Sequence, residues 1–322
     1  MNPTGEAPIV TLTMNPAVDI TTDADVVRPT EKIRCAGVGY DPGGGGVNVA
    51  QVAHNLGASV SAIFPAGGAT GDAFADLLGK RGVPFRRVKI DGSTRESLTV
   101  NEISTGLQYR FVLPGPCLTF VEQQQCLAEL RSAAASARFV VASGSLPPGV
   151  PANFYQQVAL VCRDLGALLV LDTSGGGLRH ITSGVFLLKA SVRELRECAG
   201  RELATEAQQL AAAHEIIDCG QAQAVVVSLG SEGALLATQR ESLRFAAIPM
   251  RAVSGVGAGD AMVAAITVGL SRDWPLEKSV RFGIAAGAAM LMTPATEPCT
   301  RADTERLFEV AEEPIDVGLV HA

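Results

Sequence analysis

The run Gly255-Val256-Gly257-Ala258-Gly259-Asp260 is followed by Ala261-Met262-Val263-Ala264-Ala265-Ile266. Small residues let a backbone turn tightly and approach a ligand closely. The apolar segment behind them predicts a buried helix whose first N–H groups face the turn, where an anion is favoured. Asp260 is the only charged residue between Arg251 and Arg272, and it falls in that first turn. A carboxylate so placed can take a proton from a hydroxyl while the N–H groups stabilise a transferring phosphoryl group. The same spacing fits an aspartate that only complements the helix dipole, so the run alone leaves both readings open.

Asp41-Pro42-Gly43-Gly44-Gly45-Gly46-Val47-Asn48 also opens a helical pattern. Four consecutive glycines are entropically costly and suggest close approach to a ligand, although a flexible capped turn would use them too. Asn48 both donates and accepts hydrogen bonds, which suits a sugar hydroxyl. The run is not a G-x-G-x-x-G after a buried strand, and no G-K-[ST] follows to make a Walker A motif. Asp19, in Met14-Asn15-Pro16-Ala17-Val18-Asp19, follows the first strand, where ligands bind in open α/β sheets; a loop aspartate is the alternative. Arg95, Lys32 and Arg34 border strands of a second, smaller group and could hold a phosphate or stand as solvated charges.

These residues need a frame. Ile9 to Met14, Val60 to Phe64, Phe139 to Ala142, Leu168 to Leu171, Val185 to Leu188 and Ala224 to Ser228 are short apolar runs, expected as strands buried on both faces. Helical patterns lie between them. Val49, Val52, Ala53 and Leu56 keep i, i+3, i+4, i+7 spacing, and Thr119 to Ala135 and Ala204 to Ile217 are helical in pattern. This order predicts an α/β fold, an open and mostly parallel sheet with helices on both faces. Residues 32–40 and 97–113 read as strands without helices between them, a small β-sheet lid, with Ser104-Thr105-Gly106 as a hairpin turn. The chain, 1–322, is read as one domain carrying that lid.

Composition narrows the classes. The 322 residues are 47% hydrophobic and 18% charged, enough for a large core and unlike a disordered chain. A net charge of −7 argues against a general nucleic-acid surface. Seven scattered cysteines without a C-x-x-C pattern suit reduced thiols in the cytoplasm. The four histidines form no zinc-binding pattern. Neither a signal peptide nor a membrane span is expected.

Taken together, the motifs resemble the ribokinase-like, PfkB-type carbohydrate kinases. The resemblance rests on Asn15-Pro16-x-x-Asp19, the glycine run ending in Asn48, Ser143-Gly144-Ser145-Leu146-Pro147-Pro148-Gly149, and Gly257-Ala258-Gly259-Asp260, and it covers about Ile9 to Phe308. Asp41 to Gly46, Phe64 to Gly71, Gln108 to Val112 and Ser228 to Gly230 look most like the bacterial 6-phosphofructokinase branch; 1-phosphofructokinases and tagatose-6-phosphate kinases come next. The resemblance implies ATP- and Mg²⁺-dependent phosphorylation of a sugar-phosphate hydroxyl, with Asp260 as base and Gly257, Ala258 and Gly259 as the anion hole. It implies that Asp19, Gly43, Gly44 and Asn48 hold sugar hydroxyls, and that Arg95, Lys32, Arg34 and Ser145 serve the substrate phosphate. It puts Lys189, Ser191, Ser228, Gly230, Gly255 and Val256 on the nucleotide side, with Ala286 and Gly287 beside adenine. Glu194 would reach Mg²⁺ through water, and K⁺ would lie on carbonyls near Ser254 and Val256. A homodimer through the lid is implied as well.

Two positions depart from the family pattern. An Asn-x-x-Glu motif is written here Ser191-Val192-Arg193-Glu194, and Gly255 stands where a threonine is usual. Both keep open a weakly catalytic ligand-binding regulator as an alternative to an active enzyme.

Overall fold

The computed structural model describes residues 8–173, 176–250, 255–293 and 297–318. Strand β1 (Ile9–Leu12) leads into β2 (Ala17–Ala24) and β3 (Cys35–Gly43), then α1 (Gly45–Asn55), β4 (Val60–Ala66), α2 (Gly68–Lys80) and β5 (Phe85–Lys89). Next come β6 (Arg95–Glu102), β7 (Gln108–Val112), α3 (Phe120–Ala133), β8 (Phe139–Ser143), α4 (Phe154–Leu165), β9 (Leu168–Asp172) and the short α5 (Gly176–Arg179). The chain continues through β10 (Val185–Ser191), α6 (Val192–Ala199), α7 (Glu206–Asp218), β11 (Ala222–Ser228), β12 (Ala234–Thr238) and β13 (Ser242–Phe245). Helices α8 (Ala258–Ser271), α9 (Leu276–Leu291) and α10 (Arg301–Val310) and strand β14 (Ile315–Asp316) follow.

Among the described residues ten strands make one sheet, in the order β14-β13-β12-β11-β10-β9-β8-β1-β4-β5. Every pairing from β5 across to β11 is parallel, while β12, β13 and β14 add an antiparallel edge. Alternate side chains of each central strand feed opposite layers, as the pleat requires. In β8, Phe139 and Val141 join the core under α1, α2, α8, α9 and α10, while Val140 and Ala142 join the core under α3, α4, α6 and α7. Ala224 and Val226 of β11 divide from Val225 and Val227 in the same way. Burial on both faces explains why these strands read as unbroken apolar runs. Helix α8 is buried from Ala261 to Ser271, which explains why its sequence lacks a polar face.

The second sheet has the order β3-β2-β6-β7 and stands off the first as a lid. Its strands differ from expectation at two places. The strand expected over 32–40 runs over Cys35–Gly43, so Lys32 and Arg34 precede it in an exposed connection. Asp19 is not past a strand end. It lies inside β2, whose Val18, Ile20, Thr21 and Thr22 pair with both β3 and β6. With Asp19, Thr21, Thr22 and Asp23 among its eight residues, β2 lacks the continuous apolar run that marks a buried strand.

Phe64 of β4 is fully buried, with its ring 4.8 Å from that of Phe74 and 5.4 Å from that of Phe85. Phe64→Ala is expected to lower the free energy of unfolding by about 3–5 kcal/mol, read from urea denaturation at unchanged slope. A loss below about 1 kcal/mol would show that this layer does not depend on the aromatic cluster.

Candidate active site

The C-terminal ends of the parallel strands open into a cleft of about 520 Å³ roofed by the lid. Open α/β sheets bind ligands at this edge. A polar row crosses three adjacent strands in register there: Ser143 of β8 opposite Asp172 of β9, and Asp172 opposite Lys189 of β10. Register partners on adjacent strands share a face, so the row forms the floor of the cleft.

Asp260 comes to this floor from the first turn of α8. Gly257 caps that helix with φ +80°, a conformation glycine adopts without penalty. The Asp260 carboxylate accepts from Asn48 Nδ2 at 2.9 Å and from Ser143 Oγ at 3.4 Å. Lys189 Nζ lies 3.2 Å from both carboxylate oxygens of Asp172, and both side chains are buried. Burial and the nearby Asp172 carboxylate push the Asp260 carboxyl up to about 7, against the hydrogen bond from Asn48, the charge of Lys189 and the hydrogen bond from Ser143. Burial works to lower the Lys189 ammonium. The charges of Asp172, Glu194 and Asp260 outweigh it and hold Lys189 above its usual value.

The lid faces the floor with Asp19, Ser97, Arg95 and Arg110. Burial, with a smaller push from Asp41, raises the Asp19 carboxyl to about 6 against the charges of Arg110 and Arg95. A Cβ on Gly43 would stand 2.0 Å from an Asp19 oxygen, so the paired strands need glycine there. Gly44 and Asn48 line the cleft, whereas Gly43 is buried behind Asp19. Ser145 lies just outside the lining, where its Oγ accepts from Asn15 Nδ2 at 3.2 Å. Lys32 and Arg34 are exposed and do not line the cleft; Arg110, on the opposite edge strand β7, does.

A second cavity of about 690 Å³ adjoins the first and shares Gly255 and Gly259 with it. Its walls are the Ala247–Met250 segment and Ile284, Gly287 and Leu291 of α9, with Ser228 and Gly230 at the strand end. Ala286 does not reach this cavity. Its side chain turns into the core, one residue out of phase with Gly287. Val256 and Glu194 line the cleft, and Ser254 lies outside the described residues. Ser191 has a local task instead. Its hydroxyl caps α6 by accepting from Glu194 N at 3.3 Å, while Glu194 Oε2 accepts from Ser191 N at 2.8 Å and Oγ at 2.7 Å. Ser-x-x-Glu is a capping box, a signal present in the sequence.

Asp172, Ser143 and Arg110 are site residues that sequence reasoning passed over. Asp172 ends an apolar strand and carried the same strand-end signal read at Asp19. Arg110 sits within Gln108-Tyr109-Arg110-Phe111-Val112, where alternation alone assigns it to a face but not to the cleft side.

A model of the pfkB family of carbohydrate kinases matches residues 12–303. The chain is 69% identical over 314 residues to a Mycobacterium tuberculosis protein named ATP-dependent 6-phosphofructokinase isozyme 2, covering 98% of this chain and 93% of that one. It is 39% identical to the Escherichia coli protein of the same name, over 93% and 97% of the two chains. The crystal structure of E. coli phosphofructokinase-2 in complex with fructose-6-phosphate superposes with a TM-score of 0.88 at 38% identity, covering 94% of this chain and 99% of that one. With the family's model matching most of its length and a relative 69% identical over 98% of it, the chain belongs to the pfkB family of carbohydrate kinases.

Proposed function

We propose that this protein is a 6-phosphofructokinase, moving the γ-phosphoryl group of ATP to the free primary hydroxyl of fructose 6-phosphate. The observation that carries this is the Asp260 carboxylate, held by Asn48 and Ser143 at the N-terminus of α8, between a polar cleft and an apolar cavity. Asp260 takes the hydroxyl proton as the sugar oxygen bonds to phosphorus and the bond to the ADP oxygen breaks. N–H groups of Gly257, Ala258 and Gly259 face the transferring group from a helix start that has no intrahelical partners for them. Asp19 and Asn48 orient the sugar, and Arg95 and Arg110 supply the positive charge that suits its phosphate. The apolar cavity takes the base, with Gly287 and Ile284 beside it.

The floor fits a divalent cation brought in with the nucleotide. Asp172, Glu194 and Asp260 share one buried cation, Lys189, and are left with an excess of negative charge. No cluster of three ligating side chains occurs among the described residues, so Glu194 would reach Mg²⁺ through water. The metal supplies charge neutralisation at the phosphoryl oxygens. K⁺ remains a proposal on the Val256 carbonyl and the neighbouring Ser254. Gly255, with nothing within 4 Å of a built Cβ, leaves the nucleotide one hydroxyl partner short. Such a loss costs about 1 kcal/mol and does not abolish binding. No described helix is long and apolar enough to cross a membrane, and with free thiols we place the protein in the cytoplasm.

The lid also supports a homodimer. Tyr40, Ile20, Leu98 and Phe111 stand in register across all four strands, on the face opposite Asp19 and Arg110. Tyr40 and Phe111 are 55% and 51% exposed. An apolar row of this kind is usually an interaction surface.

Asp260→Asn is expected to lower kcat by about 10²–10⁴-fold in a coupled ADP-release assay with fructose 6-phosphate. Wild-type turnover in that variant would remove Asp260 from the chemistry, and better kcat/KM with tagatose 6-phosphate or fructose 1-phosphate would reassign the acceptor. Because Asp260 must be ionised to accept a proton, kcat/KM should fall toward acid pH with a limb near pH 7. The fall should steepen near pH 6 as Asp19 protonates too. A profile flat from pH 5 to 8 would contradict this assignment. Phe111→Asp should shift a dimer to monomer in sedimentation velocity, and an unchanged dimer would place the interface elsewhere.

A further inference from the structure

Asn15 lies in the link between β1 and β2 and is only 8% exposed. Its side-chain Nδ2 donates to Ser145 Oγ at 3.2 Å. Its main-chain carbonyl accepts from Arg95 Nη2 at 3.0 Å. Arg95 Nη1 donates to the Leu113 carbonyl at 3.2 Å, so two contacts fix the guanidinium plane at the cleft wall. The buried Arg95 Nε keeps no protein partner. The β7–α3 connection closes over the Asn15 amide from the other side. A Cβ on Gly115 would stand 2.1 Å from Asn15 Oδ1, so only glycine permits that approach.

We propose that Asn15 is the positioning residue for the phosphate end of the acceptor site. Its side chain orients the Ser145 hydroxyl, and its main chain orients the Arg95 guanidinium. This rests on the sugar-phosphate reading above. The ligand group recognised is a phosphate monoester, which needs a hydroxyl and a fork of N–H donors in fixed relation. A group held in place beforehand contributes to acceptor binding and leaves the chemical step alone. Asn15 touches neither Asp260 nor the apolar cavity.

The experiment compares wild type, Asn15→Ala, Ser145→Ala and the double variant, with fructose 6-phosphate and with fructose as an acceptor lacking the phosphate. For Asn15→Ala, KM for fructose 6-phosphate should rise about tenfold, with kcat and KM for ATP within about twofold. The ratio of kcat/KM for fructose 6-phosphate to that for fructose should fall by the same factor. The double variant should be no worse than Ser145→Ala, because the Asn15 side chain acts through that hydroxyl. Gly115→Ala should raise the same KM by displacing the amide, and with Ser145→Ala it carries the comparison if Asn15→Ala does not fold. Equal losses with both acceptors, or additive losses in the double variant, overturn the proposal. A wild-type protein that binds ATP but does not turn over fructose 6-phosphate would overturn the functional reading beneath it.

Discussion

A single buried ammonium sits among the carboxylates of the cleft floor. Lys189 lies among Asp172, Glu194 and Asp260 at the ends of the parallel strands. Removing a charge from water is expensive, and an ion pair recovers that cost only with good geometry and added hydrogen bonds. Here Lys189 meets both oxygens of Asp172, and Asp260 takes its hydrogen bonds from Asn48 and Ser143 instead. The ammonium therefore neutralises Asp172 most directly. Asp260 is left near its titration point, where a carboxylate can both lose and accept a proton at neutral pH.

The architecture serves that arrangement. Ser143, Asp172 and Lys189 come from three strands distant in sequence, yet the parallel register puts them in one row. Helix α8 can bring Asp260 to the same row only because it is buried all along its length and cannot slide against α1, α9 and the sheet. Side chains packed at crystal-like density hold such a position tightly. The lid adds the opposite wall. Its Asp19, Arg95 and Arg110 come from three of its four strands, so that wall forms only when the small sheet is assembled.

Much of this was legible because the signals are local. The α8 entrance combined glycine, a carboxylate and an apolar run within a dozen residues, and the buried strands carried unbroken apolar runs. The β2 strand was not legible, since Asp19, Thr21, Thr22 and Asp23 interrupt its apolar residues, and without it Asp19 read as a residue past a strand end. The Asp172–Lys189 pair was missed for another reason. It is made by register between neighbouring strands, and no spacing along the chain encodes a register. Lys32 and Arg34 differ again: their charge stands beside an expected strand but outside the cleft lining of this chain, and the strand begins one residue after Arg34.

Ser191 bears on whether the departures from the family pattern weaken the site. This serine is turned back on Glu194 by a capping box. The exchange fixes the start of α6 and with it the Glu194 backbone. It also commits Glu194 Oε2 to hydrogen bonds from the Ser191 amide and hydroxyl. Glu194 thus stays anchored and lines the cleft without help from an amide neighbour. The serine thereby adds rigidity to a carboxylate that lines the cleft. That favours a working kinase with altered nucleotide handling over a protein that only binds its ligands.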